Sequence, residues 1–346
     1  MNIYLKKIEE IAKDMPEIKI MEVCGGHTNT IMRNGIREIL PKNIKLISGP
    51  GCPVCVTSHY DIDCMIALAK NKIPITTYGD MLRVPGSTGD SLESIRAKEK
   101  NANIVTVYSA NEALNYPDHI FFGIGFETTT PMTAFLLKKG ITVYSTHKLM
   151  PPPMKIIASG ELKVDGFIDP GHVSIITGSN MWSELNIPQV ICGFKPDQMI
   201  RAIYKLLVLI KENKNTNSTN EKRNLVINDY PEAVTPKGNE IAQKLINEQM
   251  KIVDCNWRGF GIIPNSGLDP KDDKLNAKIK YADILKKVDS KEIKGCFCAK
   301  IIKGLAEPTD CKLFKKVCTP NTPVGACMVS EEGSCAIYFK YGDRKK

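Results

Sequence analysis

The sequence predicts two Rossmann-like α/β domains with parallel sheets, followed by a small cysteine-rich C-terminal domain. The chain has 346 residues, which is enough for two to three domains of ordinary size. Continuous apolar runs recur along its first two thirds, separated by segments with helical spacing, and this pattern is typical of buried parallel strands in βαβ units. Six of the 12 cysteines lie within residues 296–335.

An amphipathic helix opens the chain, because Leu5, Ile8, Ala12 and Met15 fall on one helical face. Eight strands are then predicted, at residues 18–23, 44–48, 73–78, 103–108, 119–126, 141–146, 164–168 and 189–194. Eight strands exceed one small sheet, so we divide them between two α/β domains. The predicted domains cover residues 1–115, 116–245 and 246–346.

Two further segments have distinct compositions. Residues 211–224 are polar and rich in asparagine, which predicts a loop. Residues 238–250 have the apolar spacing of a helix. Beyond them the cysteine-rich tail has few apolar runs, so we expect that it needs a metal to fold.

Composition and charge exclude several classes of protein. Lysine and arginine total 47 against 38 aspartate and glutamate, a net charge of +9, but the lysines are scattered and no aromatic residues interleave with them. This distribution argues against nucleic-acid binding. No apolar run approaches the ~20 residues of a membrane span, and the N-terminus lacks a signal-peptide core. We therefore predict a cytoplasmic protein, in which cysteines serve metal or redox chemistry rather than disulfide scaffolding.

The first strand leads into the motif Cys24-Gly25-Gly26-His27-Thr28. The two glycines permit close approach of other backbone, and Thr28 is predicted to cap the following helix. Near a helix N-terminus the dipole favours a thiolate, so we interpret Cys24 as a functional thiol rather than a buried structural cysteine. For the neighbouring His27 three roles stay open: a second metal ligand, a proton donor, or a hydrogen-bonded residue that only forms the wall of the site.

The second strand ends in a Cys-x-x-Cys motif formed by Cys52 and Cys55. A proline follows the first cysteine, as in thioredoxin-type redox pairs. The alternative is half of a zinc knuckle, but the chain has no second Cys-x-x-Cys, so a dithiol–disulfide pair is favoured. We interpret Cys64, in the next helical segment, as a core residue.

Two later strand ends carry further candidates. Glu127 follows the fifth strand and is either a general acid or base or a carboxylate at a helix N-terminus. His172 follows the seventh strand and is equally a site residue or a structural one. The other histidines, at positions 59, 119 and 147, are predicted to be structural.

In the tail, Cys298, Cys311, Cys318 and Cys335 are separated by wide gaps, with Cys296 and Cys327 as extras. Structural zinc sites mostly use pairs with two to four residues between the ligands, and the wide gaps suit a four-iron cubane better. The sequence therefore favours a small C-terminal iron–sulfur domain over a zinc site.

Six motifs in register resemble the HypD family of hydrogenase maturation proteins. They are MEVCGGHT (21–28), GPGCPVC (49–55), GFETTTP (125–131), PGHVS (170–174), WRGFGIIPNSGL (257–268) and CKLFKKVCTPNTPVGACMVSEEGSCAIYFKY (311–341). The resemblance covers the chain from about residue 20 to residue 341. It implies two α/β domains and a smaller domain that carries a [4Fe-4S] cluster.

The resemblance also implies a function. Such proteins are assembly scaffolds rather than turnover enzymes, and they build the Fe(CN)2(CO) group of [NiFe] hydrogenases with a HypC-type chaperone and a HypE-type cyanide donor. Cys24 would hold this iron, Cys52 and Cys55 would be the redox pair, and the four spaced tail cysteines would ligate the cluster. His27, Glu127 and His172 would line the cleft between the α/β domains.

One position departs from the family pattern, and two other functions stay open. Asn29 stands where the family usually has a second histidine, and asparagine neither titrates near neutral pH nor binds iron well. One alternative function is a stand-alone iron–sulfur-dependent thiol–disulfide oxidoreductase that uses Cys52 and Cys55. Another is an interaction module whose tail is stabilised by zinc.

Overall fold

The fold contains two parallel sheets and one small antiparallel sheet. The computed structural model describes residues 2–99, 102–215 and 224–342. The first sheet has the order β10-β9-β8-β1-β2, and the second has the order β4-β3-β5-β6. The third sheet has the order β11-β12-β7. In chain order the strands are Ile18–Glu22 (β1), Ile44–Ser48 (β2), Ile75–Tyr78 (β3), Ile104–Val107 (β4), Ile120–Gly123 (β5), Val143–Ser145 (β6), His147–Lys148 (β7), Gly166–Pro170 (β8), Gln189–Cys192 (β9), Val226–Asn228 (β10), Met250–Trp257 (β11) and Gly261–Pro270 (β12).

All eight strands predicted from the apolar runs are present, as β1–β6, β8 and β9. The neighbouring strands of the first and second sheets pair in parallel throughout. The prediction of parallel α/β architecture is therefore confirmed.

The two parallel sheets do not divide the strands at residue 115. The first sheet takes β1 and β2 from the start of the chain and β8, β9 and β10 from beyond residue 165, whereas β3–β6 form the second sheet without interruption. β1 occupies an inner position between β2 and β8. Apolar runs identify strands but not their neighbours, so the return of the chain to the first sheet was not visible in the sequence.

The α-helices pack on both sides of these sheets. They are Asn2–Ala12 (α1), Gly25–Arg33 (α2), Ile36–Ile39 (α3), Pro53–Val56 (α4), His59–Lys70 (α5), Gly79–Arg83 (α6), Leu92–Lys98 (α7), Thr130–Lys138 (α8), Pro151–Ala158 (α9), Gly171–Thr177 (α10), Pro196–Asn215 (α11), Glu240–Gln249 (α12), Ala277–Lys280 (α13), Ala282–Leu285 (α14), Cys298–Ile301 (α15), Ala326–Val329 (α16) and Ser334–Tyr341 (α17). In the described ranges, no helix combines the length and apolar character that crossing a membrane requires.

The structure tests one helix prediction and one loop prediction, with different outcomes. The predicted helix at residues 238–250 is confirmed as α12. The loop predicted for residues 211–224 is wrong over its first part, because α11 continues to Asn215. Lysine and glutamate are good helix formers, so a polar composition alone did not end this helix. Residues 216–223 lie outside the described part of the chain.

The antiparallel sheet was not predicted. β11 and β12 form a hairpin with an irregularity between Val253 and Cys255, and the short strand β7 pairs with β12. Pro264 and Gly267 interrupt the alternation of apolar and polar residues in β12, so its sequence does not indicate a strand. The short strand β10 was not predicted either, because polar residues surround it in the sequence.

The core explains why the first strands have continuous apolar sequences. Ile20 and Ile168 face α1 and α11, where they contact a cluster that includes Ile203. Met21 and Phe167 point to the opposite face and join a larger cluster. This larger cluster extends through the second sheet to the cysteines of the tail. Both faces of the first sheet are therefore buried, and one continuous core connects the two parallel sheets with the tail.

Candidate functional site

A cleft of about 580 Å³ lies where the strand ends of the two parallel sheets meet. Its walls include residues at the carboxyl ends of strands from both sheets, namely Cys24, Tyr78, Tyr108, Phe126 and His172. A third wall comes from residues 330–332 of the tail. Ligands of parallel sheets bind at this edge, so the cleft is the candidate site.

Cys24 lies at the junction of β1 and α2. It adopts an extended conformation as the N-cap residue of α2, and its side chain is partly exposed to the cleft. Its backbone N–H donates to Glu22 Oε2 at 3.1 Å, and the Thr28 hydroxyl donates to the other oxygen of the same carboxyl group. Thr28 therefore lies inside the helix, and the prediction that it caps α2 is wrong. Glu22 fixes both ends of the first helical turn.

The expectation that Cys24 favours the thiolate is also wrong for this protein by itself. Burial, together with the nearby Glu332 and Glu22 carboxyl groups, raises the pKa of the Cys24 thiol to about 12. The backbone N–H groups of His27 and Gly26 oppose this shift but do not outweigh it. Desolvation exceeds the helix dipole here, so the free thiol is the stable form until a cation arrives.

Two glycines allow other parts of the chain to touch the Cys24 motif. A Cβ on Gly51 would lie 2.5 Å from Cys24 Cα, and a Cβ on Gly25 would lie 2.6 Å from the Glu332 carbonyl oxygen. The Gly25 N–H donates to the Gly51 carbonyl oxygen at 3.1 Å. The loop before the Cys-x-x-Cys motif therefore packs directly on the Cys24 loop, and so does the tail. Close approach of other backbone was predicted for this motif.

Cys52 and Cys55 form a disulfide, with Cα atoms 5.3 Å apart. Cys52 is the N-cap residue of α4, and its sulfur accepts the Cys55 N–H at 3.2 Å. Both residues are buried, while Pro53 and Val54 between them line the cleft. Cys64, which we interpreted as core, is fully buried in α5.

Phe194 separates the two site histidines. Its ring lies 4.9 Å from the His27 ring and 4.0 Å from the His172 ring, measured between centroids. His27 is fully buried behind the cleft wall, where its Nε2 donates to the Cys192 carbonyl oxygen at 3.2 Å. Burial lowers the pKa of His27 to about 4. This geometry favours the hydrogen-bonded wall among the three roles considered for His27, whereas His172 reaches the cleft.

Glu127 is buried beside the cleft, between two residues that line it. Its Oε1 accepts the Met150 N–H at 3.0 Å, and its Oε2 has no hydrogen-bond partner. Burial raises the pKa of Glu127 from 4.5 to about 7. The carboxyl group is thus able to hold or release a proton near neutral pH.

Replacement of Glu127 by glutamine is expected to change the pH dependence of stability. Because the folded-state pKa lies above the unfolded value, wild-type protein loses stability as pH rises from about 4.5 to 7. Glutamine does not titrate, so E127Q gains up to about 3 kcal/mol relative to wild type above pH 7. Urea denaturation at pH 5 and 7.5 measures this difference. An equal difference in unfolding free energy between E127Q and wild type at both pH values contradicts this prediction. The exposed control E161Q should have the same pH dependence of stability as wild type.

Sequence reasoning missed several groups around the cleft. Glu22 is buried, and its pKa is raised by burial to about 7. Asp169, at the end of β8, is fully buried, and neither carboxyl oxygen has a hydrogen-bond partner. Glu332 enters the cleft wall from the tail. The acids Glu22 and Asp169 stand at strand ends, which is the signal that could have identified them.

All six tail cysteines line one small apolar cavity. Its walls also contain Ile301, Leu313, Phe314 and Met328. The Cys298 and Cys327 sulfurs are 2.7 Å apart. The structure therefore brings together the four spaced cysteines, Cys298, Cys311, Cys318 and Cys335, and adds the two that we interpreted as extras.

The donor set fits an iron–sulfur cluster, since it provides thiols in an apolar, enclosed environment. The cavity measures only about 10 Å³, because the thiols lie against one another. Across residues 2–99, 102–215 and 224–342, no group of three or more histidine, cysteine or acidic side chains has the arrangement to hold a metal ion.

Comparisons with known proteins agree with the motifs. A family model for HypD, described as "Hydrogenase formation hypA family", matches residues 1–342. The hydrogenase maturation factor HypD of Rhizobium leguminosarum bv. viciae is 40% identical over 97% of this chain and 91% of its own length. HypD of Cupriavidus necator is 40% identical over 93% and 89% of the two chains, and that of Azotobacter vinelandii is 39% identical over 95% and 91%. The chain belongs to the HypD family of hydrogenase maturation factors.

Proposed function

We propose that this protein is the scaffold on which the Fe(CN)2(CO) group of a [NiFe] hydrogenase is assembled, together with a HypC-type chaperone. The observation that carries the proposal is the meeting of three parts of the chain at one cleft. Cys24, the Cys52–Cys55 loop and the tail segment 330–332 pack against one another there. The proposed working compartment is the cytoplasm.

Cys24 is the proposed iron ligand. It is the cysteine that lines the cleft within the described ranges, and a soft thiolate suits iron that carries cyanide and carbonyl ligands. A free thiol with a raised pKa loses its proton when iron binds, since metal ligation requires the thiolate. Glu22, which accepts the Cys24 N–H, holds the backbone of this ligand in place.

The tail and the disulfide are the proposed redox components. The four spaced cysteines would hold a [4Fe-4S] cluster, which supplies single electrons when it is bound. The Cys52–Cys55 disulfide lies at the N-terminus of α4, whose helical partner in the tail is α16. α16 includes Cys327, one of the six cysteines of the cavity. The contact between α4 and α16 is the proposed route of electron exchange between the cysteine cavity and the disulfide.

The experiment that tests this proposal is anaerobic co-purification with the HypC-type chaperone and the HypE-type cyanide donor. We expect iron, acid-labile sulfide, and infrared bands of iron-bound cyanide and carbonyl in the complex. Absence of the bands from a complex that contains iron contradicts the scaffold function. A protein that reduces disulfides of other proteins without the chaperone, and without need of Cys24, is instead the stand-alone oxidoreductase.

Replacement of Cys311 by alanine is expected to remove the cluster and loosen the tail but leave the parallel sheets folded. The reason is that the tail, beyond β12, contains only short helices before α17. We expect loss of iron and sulfide and rapid proteolysis after residue 296. Trp182, which is fully buried outside the tail, should keep its wild-type contribution to the fluorescence. A tail as protease-resistant as wild type contradicts the prediction.

A further inference from the structure

A buried arginine connects the disulfide helix with the cysteine cavity. Arg258 lies in the turn between β11 and β12 and is only 2% exposed. A guanidinium group is always charged in proteins and carries five N–H donors. Its burial therefore requires hydrogen-bond acceptors and negative charge nearby.

On one side Arg258 holds the end of α4. Its backbone N–H donates to the Val56 carbonyl oxygen at 2.9 Å, and its Nε donates to the Thr57 carbonyl oxygen at 2.9 Å. Its Nη1 donates to His59 Nε2. These carbonyl groups follow Cys55 directly, so Arg258 places a positive charge at the negative end of the disulfide helix.

On the other side the same turn packs on the cysteine tail. A Cβ on Gly259 would lie 2.8 Å from the Ala299 carbonyl oxygen, and Ala299 follows Cys298. The turn that carries Arg258 therefore touches the backbone next to Cys298, one of the six cysteines of the cavity.

The guanidinium also has unused capacity. Its Nη2 is buried and has no hydrogen-bond partner. Among the described residues, no carboxylate forms an ion pair with Arg258, and the nearby Glu292 pairs with His59 instead. The missing counter-charge points to the cysteines on either side, which become anionic when the disulfide is reduced or when the tail thiols ligate iron.

We propose that Arg258 is a positioning residue that supplies one buried positive charge shared by the Cys52–Cys55 dithiol and the cysteine cavity. This inference rests on the proposed function, because it assigns a role to both redox components. The charge stabilises the reduced dithiol and the electron-rich form of a bound cluster, while the contacts to Val56 and Thr57 hold α4 beside the tail.

The test compares R258Q with R258K in the full-length protein. Glutamine keeps a donor for the Thr57 carbonyl oxygen but removes the charge, whereas lysine keeps the charge. The redox equilibrium of Cys52 and Cys55 is measured by thiol labelling in dithiothreitol buffers. In this equilibrium the buffer dithiol becomes a disulfide and gives two electrons and one proton to the protein disulfide, which becomes one thiol and one thiolate, while the second proton goes to the buffer. The control R96Q makes the same change at an exposed arginine of α7.

We expect R258Q to shift this equilibrium toward the disulfide by about tenfold, which corresponds to about 30 mV for a two-electron couple. R258K should stay within about threefold of wild type, and R96Q should match it. Equal shifts in R258Q and R258K, or no shift in either, overturn the proposal. If R258Q does not fold, the R258K measurement is used alone. A tenfold shift in R258K, which keeps the charge, then overturns the proposal.

A second measurement separates this inference from the proposed function. The cluster is first formed by anaerobic incubation with iron(II) and sulfide. The equilibrium constant for its reduction should then be about tenfold lower in R258Q than in wild type, which corresponds to a reduction potential about 59 mV lower for one electron. An unchanged cluster equilibrium in R258Q counts against a shared charge. Failure of wild-type protein to bind iron and sulfide contradicts the proposed cluster, but the dithiol measurement still tests Arg258.

Discussion

Replacement of Cys24 by alanine is expected to abolish the infrared bands of iron-bound cyanide and carbonyl while the signal of the tail cluster survives. Cys24 is the thiol at the cleft, and the tail cysteines line a separate cavity. Removal of the sulfur leaves the cleft without its proposed ligand but changes none of the contacts around the cavity. Infrared and electron paramagnetic resonance spectra of the co-purified complex measure the two effects independently.

The matched control for this variant is Cys64→Ala. Cys64 is a fully buried core residue, so its loss should cost about 1 kcal/mol of stability and no activity. Cys52→Ala should stop maturation through loss of electron flow, while the intact Cys24 still holds iron in the complex. A Cys24→Ala complex that keeps its bands, or loses its cluster along with them, rules out two separate sites.

Replacement of Gly51 by alanine is expected to lower the free energy of unfolding by about 3 kcal/mol and to abolish maturation. The new Cβ would lie 2.5 Å from Cys24 Cα, and close to the Cys24 amide nitrogen as well. These are backbone atoms, so no rotation of a side chain relieves the overlap. The hydrogen bond from Gly25 to Gly51 must break as the two loops separate.

Gly79→Ala is the control for this substitution. Its Cβ would meet only Thr106 Cγ2 at 3.6 Å, which is an ordinary contact. Denaturant unfolding should therefore find G79A within about 0.5 kcal/mol of wild type. Equal stability of G51A and G79A would mean that the two loops do not touch as described.

The sequence was sufficient to find the strands because buried parallel strands need continuous apolar residues. The runs around Ile20, Phe122 and Phe167 all became inner positions of the sheets. The candidate residues Cys24 and His172 were recognised because each follows such a run, and strand ends of one sheet share an edge. Both residues line the cleft in the structure.

What the sequence did not reveal depends on contacts between distant residues. The pairing of β1 with β8 joins residues near position 20 to residues near position 167, and no local pattern specifies it. The raised pKa of Cys24 arises from burial and from Glu332 in the tail. The proposed role of Arg258 likewise depends on Thr57, which lies far away in the chain.

The interrupted first sheet has a consequence for folding during synthesis. β1 and β2 leave the ribosome early, but β8, the neighbour that covers the other side of β1, follows only after the whole second sheet. The second sheet is continuous in sequence, so it has the lower contact order and is expected to form first. Until β8 arrives, β1 exposes an open, apolar sheet edge of the kind that promotes aggregation. We therefore expect this edge to need protection from aggregation until β8 has been synthesised.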